Sequence, residues 1–401
     1  MTVFLLRVGY MKKFLGLLQE YSIPLIVGIV AALIWANLSP ETYEHFIHFP
    51  IYRDITIHFL VEDVFMVFFF ATAMVEIVES IQPGGSLNPV KRAINPLIAT
   101  MGGVLGPVFV YLLLNSLIGS PEYTNGWGIP TATDIAIAWL AAKLVFGDGH
   151  PAINYLLLLA IVDDALGLII IAIFYPTSTV MPIYLLFCLA GMVVAFLLRR
   201  FCVKSYWWYI LLGGIPCWYG LYSANVHAAL ALVFIIPFLP VAPEDVTDID
   251  DTDDERALEK FNRQWKPVVD FGMFFFGLCN AGVVFSAIGI PTVLVSVALI
   301  VGKCFGVFFF GYIALKIGFA LPKGMRKRDL VVAGLVAGVG LTVALFVCNS
   351  AFSDPVLQGS AKMGALFSIA SIPIAMVVAR LLGVQKYREG QLNKPYEPQV
   401  K

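Results

Sequence analysis

The sequence is poor in charge. Only 13% of its 401 residues are Asp, Glu, Lys or Arg, against about 25% in an ordinary soluble protein. Hydrophobic residues make up 59%, and the mean hydropathy is +0.85. These values exclude a soluble globular domain and leave a polytopic helical membrane protein. The weak period-two segments of about ten residues that build a transmembrane barrel are also missing. Basic residues are not in excess: the net charge is −1, so no nucleic-acid partner is expected. The six cysteines, Cys188, Cys202, Cys217, Cys279, Cys304 and Cys348, show no CxxC spacing, and most lie in apolar runs. They are expected to be small packing residues rather than metal ligands or disulfide partners. No small-residue cleavage site follows Arg7, Lys12 and Lys13. The first apolar run is therefore expected to be a retained helix and not a signal peptide.

What the chain does have is apolar runs of spanning length. About 20 apolar residues cross a bilayer, and twelve such spans can be placed near 17–38, 58–80, 95–117, 128–145, 152–174, 181–199, 205–222, 224–240, 267–288, 291–314, 329–350 and 358–382. With the N-terminus inside, the even-numbered connections carry Lys91 and Arg92, then Arg199, Arg200 and Lys204, then Arg256 to Lys266, then Lys316 to Arg328. The tail adds Lys386, Arg388, Lys394 and Lys401, whereas the outer connections hold little beyond Arg53 and Lys362. This asymmetry follows the positive-inside rule, and an odd number of spans would break it. One domain, 1–401, is expected, with both termini cytoplasmic, an acidic solvated loop at about 241–266 and a tail at about 384–401. Between Glu44 and Leu60 the pattern alternates weakly, which suggests a short hairpin, although Pro50 and the lack of an Asn-Gly turn do not favour one.

Against this apolar background, Asp163 and Asp164 stand side by side in LLAIVDDALGLII. An ionised aspartate at the centre of a spanning helix costs about 2.5–3.5 kcal/mol on insertion scales, so a functional role is the default and a merely structural polar cluster the lesser alternative. Four other charged groups share the apolar segments: Asp134 in TATDIAIAW, Lys303 in IVGKCFG, Asp270 in VVDFGMFFF and Asp63 in VEDVFMVFFF. Lys303 needs a carboxylate partner or a water-filled cavity, and Asp163 and Asp134 are the carboxylates open to it. Asp270 is expected to face the cytoplasmic vestibule near Lys266.

Two spans are interrupted by glycine, proline and threonine, at GWGIPTAT (126–133) and GLVAGVGLT (334–342). Paired interruptions in the two halves of a chain point to a transporter site built on broken helices. MGGVLG at 101–106 aligns with VGKCFG at 301–306, and TDIAIAW at 133–139 with LTVALFV at 341–347. On the twelve-span count these pairs run in opposite directions, as inverted repeats do. Asp163 and Asp164 offer charged oxygens and Thr133 a hydroxyl, a donor set suited to a hard cation such as sodium. Two neighbouring carboxylates in a low-dielectric setting resist being charged together, so proton and sodium compete for the same oxygens. If only the loaded protein changes sides, competition becomes exchange. Asp134 would offset half-helix N-termini and Lys303 half-helix C-termini.

These residues resemble the NhaA family of bacterial sodium/proton antiporters, through PTATDIAIAW, LLAIVDDALGLIIIAIFY, SANVHAAL, GLCNAGV, IVGKCFG and GVGLTVALF. The resemblance runs from the first span to the twelfth. It implies an all-α polytopic membrane protein with twelve transmembrane helices, inverted-topology repeats and two discontinuous, crossing helices. It implies electrogenic export of Na+, with Li+, against incoming H+, for sodium and pH homeostasis, in the bacterial inner membrane. It places the ion at Asp163 and Asp164 with Thr133, and charge compensation at Asp134 and Lys303. It links Glu76, His227 and Glu259 to pH response and Asp63 to an outer funnel. No cofactor is expected. The partners expected are Na+, Li+, H+ and the lipid bilayer, with a homodimer left open. Departures from the family pattern are Val78 and Glu79, where a basic pair is usual, the residues around Phe274, where a proline is usual, and the additional Asp270.

Two rival classes differ in residue pattern. An intramembrane aspartyl protease would use Asp134 and Asp163, but its GxGD motif is absent; the nearest string, VFGD at 145–148, lacks the first glycine. A passive cation channel uses acidic rings, whereas a deep acid pair with a buried lysine suits occlusion.

Overall fold

The computed structural model describes residues 22–53, 55–88, 90–241, 257–384 and 386–387. In chain order the helices are α1 (Ile23–Leu38), α2 (Pro40–Ile47), α3 (Ile57–Ile81), α4 (Val90–Ile118), α5 (Pro121–Thr131), α6 (Ile135–Phe146), α7 (Pro151–Phe174), α8 (Pro182–Arg200) and α9 (206–223). They continue with α10 (Ala228–Phe238), α11 (Ala257–Asn280), α12 (Ile290–Ile317), α13 (Lys327–Ala337), α14 (Thr342–Ala351) and α15 (Pro355–Leu381). Six of these, α3, α4, α7, α8, α12 and α15, are each long and apolar enough to cross a membrane. Two bent pairs, α5 with α6 and α13 with α14, raise the number to eight if each pair is one span, and α1 and α10 are shorter apolar helices.

The exterior explains the composition. Large apolar side chains such as Ile183, Leu186, Leu189, Val193 and Phe196 of α8 are exposed. The interior is rich in alanine instead, for example Ala32, Ala71, Ala141, Ala298 and Ala344. Small residues inside and bulky ones outside is the arrangement a helix bundle adopts in lipid, where close backbone packing replaces the hydrophobic drive. The chain is a multi-pass helical membrane protein.

Close packing is tightest where α4 meets α12. A Cβ built on Gly102 would lie 2.1 Å from the Gly306 carbonyl oxygen, and one on Gly306 would lie 1.9 Å from that of Gly102. Only glycine at both positions lets these two backbones touch. That contact sets the depth and rotation of Lys303, one turn from Gly306, which follows a π turn over Ala298–Gly302. Such turns rotate the register of a helix locally and recur at functional sites.

Both glycine-proline-threonine interruptions are breaks. The chain bends by 63° between α5 and α6 and by 53° between α13 and α14. The first member of the first pair is a tight 3₁₀ segment that already begins at Pro121, earlier than the expected 128.

Other expectations require correction. The segment at 257–266 is not loop: α11 starts at Ala257 and buries Leu258 and Phe261. The acidic run at 243–255, most of the C-terminal tail and the first 21 residues lie outside the described residues. By contrast, the short hairpin suggested between Glu44 and Leu60 is borne out, with β1 (Pro50–Tyr52) antiparallel to β2 (Ile55–Thr56). It avoids the missing Asn-Gly turn by placing Arg53 at φ 48°.

Candidate functional site

The two breaks and the middle of α7 converge on one point. Asp163 and Asp164 lie near the midpoint of α7, at 0% and 8% exposure. They are adjacent on a helix, so their side chains diverge by about 100°. The structure gives them different neighbours.

Asp163 faces the α4–α12 contact. Its Oδ2 is ion-paired with Lys303 Nζ, and both side chains are wholly buried. The Thr133 hydroxyl lies 2.8 Å from the same Oδ2 and 2.8 Å from the Ala337 carbonyl oxygen. Lys303 Nζ also donates to the Thr131 carbonyl oxygen at 2.6 Å. Of the two carboxylates open to Lys303, the structure therefore selects Asp163. Thr131 and Ala337 are the last residues of α5 and α13. Their carbonyls belong to the end groups that a helix leaves unbonded, so the breaks aim backbone acceptors at Lys303 and Thr133.

Asp134 serves the other half of the first break. It is the N-cap of α6, and its Oδ1 accepts from Ile137 N–H at 3.1 Å. A carboxylate there satisfies an end donor and opposes the positive pole of the helix. Its own N–H donates to the Val339 carbonyl oxygen at 2.8 Å, tying the first break to the second.

Asp164 turns to open space. A cavity of about 840 Å³ is lined at depth by Thr133, Asp134, Asp164 and Thr342 and towards its mouth by Glu76, Glu79, Glu259, Arg263, Lys266 and Asp270. Asp163 does not line it. Asp163 Oδ1 and Asp164 Oδ1 have no hydrogen-bond partner among the described residues. A buried carboxylate oxygen without a donor is costly, and it suits a ligand that brings positive charge.

The remaining candidates lie at three other places. Glu76 and Glu259 are at the cavity mouth, where Lys266 Nζ donates to Glu76 Oε1 at 2.8 Å. Asn262 Nδ2 donates to Glu79 Oε1 at 3.3 Å. His227 lies elsewhere: it is buried, its Nε2 is 2.9 Å from Ser350 Oγ, and its ring is 5.0 Å from that of Phe346. Asp63 is in the π turn of α3, and its carbonyl oxygen accepts from Trp218 Nε1 at 2.7 Å.

Sequence reasoning passed over three features. Thr342, beside the second break, faces the cavity as Thr133 does beside the first. Its place in GVGLTVALF next to a break is the signal that could have found it. Tyr175 holds α5 in place: its hydroxyl accepts from Gly128 N–H at 2.8 Å and donates to the Asn125 carbonyl oxygen at 2.6 Å. Asn349 of α14 donates to Glu62 of α3 and, at 2.7 Å, to Asn280 Oδ1 at the end of α11. No local pattern announces that link.

Comparison with known proteins gives a consistent picture. The family model described as Na+/H+ antiporter 1 matches residues 12–382. A protein of Desulfitobacterium hafniense (strain DSM 10664 / DCB-2), named Na(+)/H(+) antiporter NhaA, is 58% identical over 384 residues, covering 95% of this chain and 99% of that protein. One of the same name from Geotalea uraniireducens (strain Rf4) is 56% identical, with 94% and 98% covered. Among solved structures, the sodium proton antiporter MjNhaP1 from Methanocaldococcus jannaschii at pH 8 superposes with a TM-score of 0.54 at 15% identity, over 94% of this chain and 98% of that one. At that identity the likeness concerns the fold alone.

Proposed function

The chain belongs to the Na+/H+ antiporter 1 family, and we propose that its exchange runs through Asp164 and Asp163, with Na+ and H+ taking turns on the same carboxylates. The protein is a secondary transporter exchanging Na+ for H+, not an enzyme. The observation that carries the site assignment is the partnerless oxygen of Asp164 at the floor of an acid-lined cavity, beside Asp163.

A sodium ion entering the cavity meets Asp164 first. Thr133 and Thr342, which line the same cavity, offer hydroxyl oxygens, the hard donors such an ion takes. To gain Asp163 as well, it competes with the Lys303 ammonium for Oδ2. Protons compete in the same way, since a carboxylate that carries a proton gives up its charge and its hold on the metal. Occupancy by one ion therefore excludes the other, and no separate coupling device is required.

Twelve spans accommodate the helices: α1, α3, α4, α5 with α6, α7, α8, α9, α10, α11, α12, α13 with α14, and α15. The two bent pairs form crossing discontinuous helices, and the 101–106 and 301–306 glycine runs mark inverted repeats. With both termini cytoplasmic in a bacterial inner membrane, the cavity opens to the cytoplasm, where Na+ and Li+ are taken up for export. Unequal charge on the two legs makes the exchange electrogenic, so a potential assists it by about 2.3 kcal/mol per charge per 100 mV. Asp270 and Glu79 join Glu76, Glu259 and Lys266 at the mouth and modify its pH response.

The test is proton flux in inside-out vesicles, followed by a pH-sensitive dye on Na+ addition, for the wild type, Asp163→Asn and Asp164→Asn. Each variant is expected to fold and to lose exchange. Robust exchange in both would overturn the assignment. Sodium movement without an opposing proton flux would instead favour a channel.

A further inference from the structure

The sequence offers no reason to pair any of the cysteines, which sit far apart along the chain and lack a recognisable motif. The fold brings two of them together. Cys188 of α8 and Cys217 of α9 place their sulfurs 2.7 Å apart, both buried. We propose that Cys188 and Cys217 are a disulfide-forming pair, a redox modification site that staples α8 to α9.

Three observations support the pairing besides the sulfur contact. First, the helices approach as backbones at this level. A Cβ on Gly191 would lie 2.4 Å from the Gly213 carbonyl oxygen and 3.3 Å from Cys217 Cβ. A Cβ on Gly220 would lie 2.8 Å from the Cys188 nitrogen. Glycines thus flank the pair on both helices, and the close approach they permit suits the short Cβ separation, about 3.5–4.5 Å, that a disulfide requires.

Second, the two thiols are at one depth. Cys188 is six residues into α8 and Cys217 six residues before the end of α9, at Ser223, about 9 Å along either axis. Those two ends adjoin: Met181 N–H donates to the Ala224 carbonyl oxygen at 3.1 Å and Thr177 N–H to that of Asn225 at 3.0 Å. The register is therefore held from outside the pair.

Third, α8 is peripheral. Leu186, Phe187 and Leu189 around Cys188 are exposed to the surroundings of the bundle. A small apolar disulfide dissolved in lipid reaches this helix without crossing the protein core.

The chemistry balances as thiol–disulfide exchange. The Cys188 sulfur attacks the S–S bond of a small organic disulfide, and one thiol leaves with the Cys188 proton. The Cys217 sulfur then attacks the Cys188 sulfur of the mixed disulfide, and the second thiol leaves with the Cys217 proton. Each cysteine sulfur loses one electron, and the two sulfurs of the oxidant gain them.

The experiment uses the full chain in its membrane with Cys202, Cys279, Cys304 and Cys348 replaced by serine. The probe is 4,4′-dithiodipyridine, whose released thiopyridone is counted by absorbance. After quenching, the protein is unfolded, alkylated and digested. The expected result is two thiopyridones released per chain, no alkylation of either cysteine, and a linked peptide pair that a reductant separates. Cys188→Ala and Cys217→Ala should each abolish the link. Free, alkylatable thiols at both positions after treatment would overturn the proposal. So would a separate thiopyridyl adduct on each cysteine, which would show that both react but cannot meet.

Discussion

Replacing Lys303 with alanine removes the only cation within reach of Asp163 Oδ2 among the described residues. Both partners are at 0% exposure, so solvent cannot move in to screen the remaining charge. Breaking a buried pair by deleting one partner costs about 3–5 kcal/mol, chiefly because the other charge is left uncompensated. The Thr131 carbonyl oxygen loses its donor too, which adds about 1–3 kcal/mol if nothing replaces it. The pair alone corresponds to a shift of about 10²- to 10⁴-fold in the unfolding equilibrium. Deleting both charges isolates the pair. Asp163→Asn with Lys303→Met keeps similar volume and leaves neither charge orphaned, so the double variant should be more stable than Lys303→Ala alone. The assay is thermal unfolding of the purified protein in detergent, read as the loss of monodisperse protein after heating. Equal midpoints for wild type and Lys303→Ala would refute a structural ion pair. A double variant no more stable than the single would refute the claim that the orphaned carboxylate is the cause.

Two further outcomes follow from separate parts of the fold. Gly306→Leu would set a side chain against the Gly102 carbonyl oxygen, which already lies 1.9 Å from where its Cβ would be. The helices must separate, at an overpacking cost of about 1–3 kcal/mol or more, and Lys303 one turn away shifts with them; a variant with wild-type thermal midpoint and exchange would show the contact to be unimportant. His150, in the connection before α7, caps that helix through Nδ1, which accepts from Ala152 N–H at 3.1 Å. Burial, with some help from Arg326, holds its pKa below the usual 6.5, and Asp329 opposes this. A depressed folded value means that its contribution to stability is complete above the unfolded pKa and is lost as pH falls through the folded one. Stability should therefore decline in mild acid, and His150→Asn, which caps without titrating there, should flatten that decline; parallel pH profiles for the two proteins would count against it.

The course of the chain was largely legible because lipid leaves few solutions. Apolar run length located α3, α4, α7, α8, α12 and α15 to within a few residues, and glycine, proline and threonine marked both breaks; α11, expected at 267–288, lies instead at Ala257–Asn280. What escaped was set by tertiary contact. The start of α11 reads as polar loop because Glu259, Lys260 and Arg263 occupy its open face. Yet Leu258, Phe261, Trp265 and Val269 recur at helical spacing, and Leu258, Phe261 and Val269 are buried. The 3₁₀ form of α5 depends on Tyr175, 47 residues beyond Gly128. No window on the sequence connects them. The cysteine pair is invisible for the same reason: the two residues meet only because α8 and α9 pack at a particular rotation.

The acids at the site were legible from rarity alone, but their division of labour was not. Adjacent aspartates look equivalent in a sequence, and only the rotation of α7 shows that one meets an ammonium and the other a cavity. The breaks matter for the same physical reason. An unbroken helix uses up its carbonyls internally, whereas α5 and α13 end at Thr131 and Ala337 and turn those oxygens towards Lys303 and the Thr133 hydroxyl. Asp134 N–H reaches across to Val339, so the two breaks support one another. On the proposed mechanism, a cation that draws Asp163 away from Lys303 disturbs the bonds that hold both breaks in place. Ion occupancy and the packing of the half-helices then share one set of contacts, which is how a change of bound ion can become a change of accessible side.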